Sequence, residues 1–294
     1  MERYLIINAD DYGSFLGANL ATQELFEKGC ITSSTVMAPC PWAKHACQWA
    51  ARHPEYAIGV HLTTTSEWDG YRWGPVLAAG TNSLRDEEGY FWQTSERFEE
   101  HADLDEAVAE VRAQLARAKQ FGLVPSHWDN HMGSLYGIAT GRMEFLQTIF
   151  ELSAEVGLPF RFPLAGLPAG EAAPSFSIPP QLLGQIFTQM QSFIKNLGVV
   201  CPDYLIPSDY PGTQEEGYGA FRDFMYTFIE GLPAGVTETF LHPSIDTGEA
   251  KAASPKGFFR VWEYTIFSDP AFQKHIAQCG IQKISYRDLK KMRG

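Results

Sequence analysis

The sequence has few cysteines, and they show no pairing pattern. The five cysteines among 294 residues are Cys30, Cys40, Cys47, Cys201 and Cys279, and no two of them form a CxxC pair. This spacing argues against a thiolate zinc site or a dithiol redox motif. An odd set of unpaired cysteines is typical of free thiols in a reducing compartment, so we expect a cytoplasmic protein.

Positive charge and long apolar runs are also scarce. Lys and Arg number 23 against 35 Asp and Glu, which gives a formal net charge of −12. This balance disfavours nucleic acid and anionic membranes, so we expect neither partner and a small neutral or cationic molecule as the ligand. No apolar run approaches the roughly 18 residues of a membrane span, and the opening MERYLIINAD is not typical of a signal peptide.

Nucleotide-binding motifs are missing as well. The segment NADDYGSFLGAN contains Gly13 and Gly17, but it has neither a GxGxxG fingerprint nor a GK[ST] phosphate loop. For a chain built from strands and helices in alternation, this absence favours a barrel over an open nucleotide-binding sheet.

Short apolar runs alternate with helical patterns along most of the chain. The strand-like runs lie at residues 4–8, 33–38, 57–62, 125–131, 159–163, 203–207, 236–243 and 281–286. About seven or eight βα units without a long linker predict a single α/β domain over residues 1–294, with parallel strands closed into a (β/α) barrel. Residues 66–101 break the alternation and predict an insertion over one barrel mouth, and residues 164–180, rich in Pro, Ala and Gly, predict a loop.

Carboxylates and imidazoles collect where the predicted strands end. The first strand ends in Asp10 and Asp11, the third in His61, and a late strand in His242, while His127, Asp129 and His131 belong to the fourth. The active sites of α/β barrels lie at the carboxyl ends of the strands. These side chains are therefore expected at one mouth of the barrel.

The mixture of side chains indicates a metal site. If the strands are neighbours, Asp11, His61 and His131 can converge, and one carboxylate with two imidazoles suits a divalent cation such as zinc, manganese or magnesium. Asp10 would then be free to act as a general base beside a metal-activated water. His242, arriving from another strand, could protonate a leaving group.

Each of these residues also has a simpler interpretation. Asp10 and Asp11 could cap a helix or occupy a turn, and His61 could be a buried structural histidine. The HxDxH spacing over 127–131 could be an exposed polar loop, and His242, before a proline, could be a loop residue. The coincidence of all of them at strand ends favours a functional site over any single alternative.

Several motifs together resemble a known family. NADDYG (8–13), GVHL (59–62) and HWDNH (127–131), with LHPS (241–244) and ISYRDL (284–289), are similar to motifs of the YdjC/ChbG-like carbohydrate deacetylases, which include HpnK-like proteins. The similarity runs along nearly the whole chain. The resemblance implies an irregular (β/α) barrel of the polysaccharide-deacetylase type, one divalent metal ion (Mg²⁺ or Zn²⁺), and hydrolysis of an N-acetyl group on a small carbohydrate.

The resemblance also implies roles for individual residues. Asp10 matches the catalytic base, and His242 matches a late histidine that acts as an acid or orients the acetate oxygen. The metal ligands would be Asp11, His61 and His131. His127 and Asp129 would not bind the metal themselves and would orient the residues that do. In such an enzyme Trp68, Tyr71, Trp73 and Trp92 could stack on sugar faces, although packing within the insertion explains each of them better. Arg260 and Trp262 are weaker candidates of the same kind.

The chain departs from the family pattern at one position of the HWDNH motif. The family continues this motif with a further histidine, as HxDxHxH, where this sequence has Gly133. This difference bears on the identity of the substrate more than on metal binding. Three alternatives stay open: a metal-dependent hydrolase of another amide, ester or phosphoester, a carbohydrate-binding or regulatory protein without catalysis, and a purely structural barrel. A homodimer is expected only from the general frequency of such assemblies.

Overall fold

A parallel sheet forms the centre of the molecule. The computed structural model describes residues 2–165, 180–254 and 256–294, with the backbone alone over 180–187. All strand pairs of its seven-stranded sheet are parallel. The strands are β1 (Arg3–Tyr12), β2 (Ser33–Val36), β3 (Ala57–Leu62), β4 (Trp128–Asn130), β5 (Tyr204–Leu205), β6 (Gly235–Leu241) and β7 (Ile281–Lys283).

The sheet curls into an irregular half-barrel. Its order is β4-β3-β2-β1-β6-β5, and β7 pairs with the first residues of β1. The irregular segment at Pro159 and Phe160 connects β4 to the residues that precede β5. Trp128 N–H donates to Pro159 O at 3.1 Å, and Phe160 N–H donates to Val200 O at 3.0 Å. The predicted irregular α/β barrel of about seven parallel strands is thereby confirmed.

The strand predicted at 159–163 forms only one isolated bridge, between Phe160 and Trp128. Pro159 and Pro163 flank this segment, and a proline has no N–H group to donate to a neighbouring strand. The backbone hydrogen bonds of Phe160 and Arg161 nevertheless place the segment beside β4. The position predicted for this strand was therefore right, and its regular pairing was wrong.

Eleven helices are described outside the sheet, and several of them contact its strands. In the helix Leu104–Gln120, the Asp103 side chain accepts hydrogen bonds from the N–H groups of Asp105 and Glu106, and Ala107, Val111 and Leu115 are buried. The helices are α1 (Leu16–Glu27), α2 (Ala43–Arg52), α3 (Ser95–His101), α4 (Leu104–Gln120), α5 (Glu144–Val156), α6 (Pro180–Leu197), α7 (Gly217–Glu230), α8 (Gly248–Ala253), α9 (Gly257–Ser268), α10 (Pro270–Gln278) and α11 (Tyr286–Arg293).

The central strand β1 is longer than the predicted run of 4–8, and it includes both aspartates of its motif. Pairing with β6 holds it straight from Arg3 to Ala9, and the register with β2 then shifts between Ala9 and Tyr12. Asp11 lies in this shifted part with φ of +59°, in the left-handed region. The irregularity changes the direction of the strand at the residue whose side chain enters the site.

A glycine allows β3 and β4 to approach closely. A Cβ atom at Gly59 would lie 2.3 Å from the carbonyl oxygen of His127, the residue before β4. The same pairing sets His61 directly opposite Asp129. Because Gly59 has no side chain, β3 and β4 lie close enough for His61 and Asp129, at the carboxyl ends of the two strands, to make contact.

The structure describes all of the predicted insertion at 66–101 but only part of the predicted loop at 164–180. Residues 66–101 contain a short 3-10 turn (Asn82–Leu84) and α3, and their Tyr71 hydroxyl donates a hydrogen bond to Ser14 O beside the end of β1. Of the loop predicted at 164–180, residues 166–179 lie outside the described residues. Among the helices in the described residues, none is both long and apolar enough to cross a membrane.

Candidate active site

Three side chains from three strand ends converge on one point. Asp11 Oδ1 lies 3.4 Å from His61 Nε2 and 3.3 Å from His131 Nδ1, and the two imidazole nitrogens are 3.3 Å apart. All three residues are buried. We call this set, Asp11, His61 and His131, the ligand triangle.

The ligand triangle fits a divalent cation. Ligand atoms at about 2.1 Å from a tetrahedral cation lie roughly 3.4 Å from one another, close to the three separations in the triangle. Asp11 Oδ1 is buried and has no hydrogen-bond partner among the described residues, a costly state for a carboxylate oxygen. A cation at the centre would satisfy this oxygen and both nitrogens.

The second nitrogen of His61 is held by a carboxylate. His61 Nδ1 lies 2.6 Å from Asp129 Oδ1, and Thr35 donates to Asp129 Oδ2 at 2.9 Å. Burial alone would lower the pKa of His61, but the charges of Asp129 and Asp10 outweigh it and raise the pKa to about 10. This excess of negative charge is what a bound cation would neutralise.

His131 Nε2, the nitrogen outside the triangle, contacts a residue that the sequence analysis did not identify as a candidate. His131 Nε2 lies 2.9 Å from Glu67 Oε2, at the beginning of the 66–101 segment. Burial lowers the pKa of His131, but Glu67 and Asp11 outweigh that effect and raise it to about 9. Glu67 follows a run of three threonines and a serine and belongs to no motif, so nothing in the sequence marked it.

Asp10 lies beside the triangle, and its carboxylate is bound by an arginine. Arg161 Nη1 donates to Asp10 Oδ2 and Nη2 to Oδ1, each at 2.7 Å, while His61 Nε2 is 4.0 Å from Oδ2. Burial would raise the pKa of Asp10, but the Arg161 charge outweighs it and lowers the pKa to about 2. A second carboxylate–imidazole group, Asp10 with His61 and Asp129, is less suited to a cation because Arg161 already occupies both carboxylates.

Arg260 holds the outer oxygen of Asp11. Its Nη2 donates to Asp11 Oδ2 at 2.6 Å, and its guanidinium lies over the Trp68 ring at 5.1 Å. The sequence interpretation of Arg260 as a sugar-stacking candidate is not what its contacts indicate, since it is buried against Asp11. Burial would raise the pKa of Asp11, but Arg260 and the two histidines outweigh it and keep the pKa well below its usual range.

His242 lies near the triangle but takes no part in it. Its backbone N–H donates to Glu263 Oε2 at 2.9 Å, and its ring packs edge-on against Phe240 at 5.7 Å. Among the described residues its imidazole has no hydrogen-bond partner. Burial lowers the pKa of His242, and the neighbouring Asp11 opposes this only in part.

His127 does not reach the triangle. Its Nδ1 lies 2.9 Å from Ser126 Oγ, its Nε2 lies 3.1 Å from Asn8 Oδ1, and its ring stacks on Tyr286 at 3.9 Å. The Asn8 amide in turn donates to Asp10 Oδ1 at 2.7 Å. His127 is therefore connected to the site through Asn8 and Asp10.

The aromatic residues of the 66–101 segment mostly pack. Trp68 and Trp73 are buried and meet edge-to-face at 5.3 Å, and Trp92 stacks on His101 at 4.1 Å. Packing was the preferred interpretation of the sequence for these residues. Trp262 likewise lies among aromatic rings of α7 and α9, 5.7 Å from Phe221.

Gly133 occupies a position that disfavours a larger residue. Its φ is +65°, and a Cβ atom there would lie 3.1 Å from the Tyr136 ring. Met132 before it also has a positive φ, of +53°. A histidine at position 133 would therefore be strained in this turn.

The chain is similar to known proteins along nearly its whole length. A family model described as YdjC-like protein matches residues 4–278. The carbohydrate deacetylase of Geobacillus stearothermophilus is 28% identical over 293 residues, covering 99% of this chain and 100% of that protein. The chitooligosaccharide deacetylase of Proteus mirabilis is 24% identical over 295 residues, covering 98% of this chain and 100% of that protein.

A solved structure has the same fold over the same length. It is a candidate cellobiose-phosphate cleavage protein from Enterococcus faecalis, with a TM-score of 0.75, 26% sequence identity, and coverage of 98% of this chain and 99% of that one. The family model spans far more than half of the chain. It includes every strand that supplies a side chain to the site, and only β7, which supplies none, lies outside it. The chain therefore belongs to the YdjC-like family, as its motifs indicated.

Proposed function

We propose that this chain is a metal-dependent carbohydrate N-deacetylase, which hydrolyses the acetamide of an N-acetylated sugar to acetate and an amino sugar. The observation that carries the proposal is a ligand triangle with a separate, ionised carboxylate, Asp10, directly beside it. Relatives named carbohydrate deacetylase and chitooligosaccharide deacetylase, aligned over their whole lengths, support the substrate class.

Asp11, His61 and His131 would hold one divalent cation. Two imidazoles and one carboxylate suit Zn²⁺ better than Mg²⁺, which prefers oxygen ligands. Such a cation, when bound, lowers the pKa of a water molecule and polarises a carbonyl oxygen. Asp129 would keep His61 Nε2 directed towards the cation by accepting the proton of Nδ1.

Asp10 would act as the general base. Its carboxylate lies 4.0 Å from the His61 nitrogen of the triangle, and Arg161 keeps it ionised and fixed in orientation. In the proposed reaction Asp10 takes a proton from water while the resulting hydroxide bonds to the acetamide carbon. His127 supports this arrangement through Asn8, whose amide donates to Asp10.

His242 would act as the general acid. Its ring has no hydrogen-bond partner among the described residues, so it is available to a substrate, and Glu263 fixes its backbone. Protonation of the departing nitrogen lets the C–N bond break and releases the amine. Acetate, with the oxygen from water, is the other product.

Acetate release tests the proposal. N-acetylated mono- and disaccharides would be incubated with EDTA-treated protein, with the same protein after Zn²⁺ or Mg²⁺ is restored, and with Asp10→Asn. We expect metal-dependent release that falls about 10²–10⁴-fold in Asp10→Asn. Asp223→Asn, an exposed aspartate on α7, is the matched control. A protein that binds the cation but releases no acetate from any sugar would overturn the sugar-deacetylase proposal.

A further inference from the structure

The first residues of the 66–101 segment surround the ligand triangle from outside. Glu67 contacts His131, and the Trp73 ring packs against the same imidazole at 6.0 Å. Trp68 lies under the guanidinium of Arg260, which in turn holds Asp11. Two of the three triangle residues are thus contacted, directly or through Arg260, by residues 67–73.

The contact between Glu67 and His131 has the geometry of a ligand support. His131 Nδ1 faces Asp11 and His61, while Nε2 on the far side of the ring is 2.9 Å from Glu67 Oε2. An imidazole that binds a cation through one nitrogen carries its proton on the other, and an acceptor there fixes the tautomer and the ring orientation. Asp129 makes the equivalent contact with His61.

Glu67 differs from Asp129 in having no other polar contact. Asp129 is fully buried and also meets Thr35 and Arg161. The Glu67 side chain is 22% exposed, and among the described residues its carboxylate bonds only to His131. A structural role independent of His131 is therefore not visible in its contacts.

We propose that Glu67 is a positioning residue for His131, and that the 66–101 segment thereby contributes to the affinity of the triangle for its cation. The proposal rests on the proposed function in one respect only, that the triangle binds a divalent cation. Glu67 does not touch the cation or the substrate. It accepts the Nε2 proton of His131 and keeps Nδ1 directed towards Asp11 and His61.

The test is the Zn²⁺ affinity of Glu67→Gln, measured without sugar by competition with a chromophoric chelator. Loss of such an outer partner weakens metal binding by about 10–100-fold in other metal sites, and we expect the same here. Glu67→Asp, which keeps the charge but shortens the reach, should lie between wild type and Glu67→Gln. Glu87→Gln is the matched control, because it removes the same charge from an exposed position in the same segment.

Two further readouts separate positioning from a general loss of structure. The metal-free forms of wild type and Glu67→Gln should have the same unfolding temperature within the difference seen for Glu87→Gln. In Zn²⁺-loaded protein labelled with ¹⁵N, the His131 ring of wild type should carry its proton on Nε2. An affinity of Glu67→Gln within twofold of wild type would overturn the proposal.

Failure of the proposed function gives a different result. A wild type that binds Zn²⁺ tightly but releases no acetate would contradict the deacetylase proposal and leave the role of Glu67 standing if the variant binds more weakly. A wild type that binds no divalent cation would overturn both proposals together.

Discussion

Arg161 binds Asp10 through two parallel hydrogen bonds, one to each carboxylate oxygen and both at 2.7 Å. The same guanidinium contacts Asp129 at 2.8 Å and Glu238 at 2.9 Å, so three buried carboxylates share one cation. Paired donation of this kind is stronger and more directional than a single ion pair. Arg161 thus connects the proposed base, Asp10, to Asp129, the carboxylate that contacts His61 Nδ1.

Replacing Arg161 with Lys should move the acid limb of the pH–rate profile to higher pH. Lysine cannot reproduce the paired contact, so the pKa of Asp10, now about 2, should rise, and each unit corresponds to about 1.4 kcal/mol. We expect an upward shift of about one unit or more and a lower kcat with little change in KM. The measurement is kcat/KM from about pH 2 to 7, because the acid limb of wild type is expected near pH 2.

The matched control for this change is Arg112→Lys. Arg112 makes the same two-pronged contact with Glu155, but both residues are exposed and their ion pair includes no residue of the site. Exposed pairs contribute little, so this variant should keep the wild-type profile. An unchanged acid limb in Arg161→Lys would show that Asp10 is not the titrating base.

Replacing His242 with Ala should lower kcat without lowering metal affinity. The ring lies outside the ligand triangle, so Zn²⁺ binding should stay within about twofold, while loss of a general acid costs about 10²–10⁴ in rate. The loss should shrink for an ester whose leaving group needs no proton, such as an activated aryl acetate. Weaker Zn²⁺ binding in the variant would instead place His242 among the ligands.

The strand-end motifs predicted that the three residues of the ligand triangle converge, because this convergence follows from the topology of the sheet. Parallel strands present their carboxyl ends at one mouth, so Asp11, His61 and His131 had to approach each other once β1 to β4 were neighbours. The side chains of Arg161, Arg260 and Glu67 could not be placed in the same way. They lie on a proline-flanked bridge, a late helix and an insertion, and only tertiary packing brings them to the triangle.

Local backbone irregularities were equally hidden from the sequence pattern. The apolar run predicted regular strand structure at residues 4–8, but pairing with β6 continues to Ala9 and pairing with β2 resumes at Tyr12 after a shift in register. The strand expected at 159–163 failed because prolines remove the donors that a ladder needs. Periodicity reports which residues are buried, and it does not report register shifts or missing donors.

Glu263 should make stability depend on pH. Burial raises the pKa of its carboxyl to about 8, well above its value of about 4.3 in an unfolded chain. A raised pKa in the folded state stabilises at low pH, and this contribution is lost as pH rises towards 8, by at most about 1.4 kcal/mol per pH unit. Glu263→Gln should therefore lose less stability than wild type between pH 5 and 8.

Urea unfolding of metal-free protein at several pH values measures this difference. Glu249→Gln, at an exposed position of α8, is the control and should follow the wild-type curve. Parallel curves for wild type and Glu263→Gln would mean that the carboxyl stays ionised across this range and that Glu263 contacts more water than its surroundings indicate.

Gly59 should be intolerant of even a methyl group, although it touches neither the cation site nor the substrate. A Cβ atom there would lie 2.3 Å from His127 O and 2.8 Å from His127 Nδ1, so β3 and β4 would have to separate. Overpacking of this kind costs about 1–3 kcal/mol of unfolding free energy. Because His61 pairs directly with Asp129 across these strands, Gly59→Ala should also weaken Zn²⁺ binding.

Gly219→Ala provides the contrast that isolates the steric cause. Gly219 lies inside α7 with no atom near its missing Cβ, so alanine there should leave stability unchanged or raise it slightly. Urea unfolding and chelator competition on both variants decide the matter. A Gly59→Ala protein with wild-type stability and wild-type Zn²⁺ affinity would mean that β4 can move away from β3 without cost. The contact between His61 and Asp129 would then not depend on their close approach.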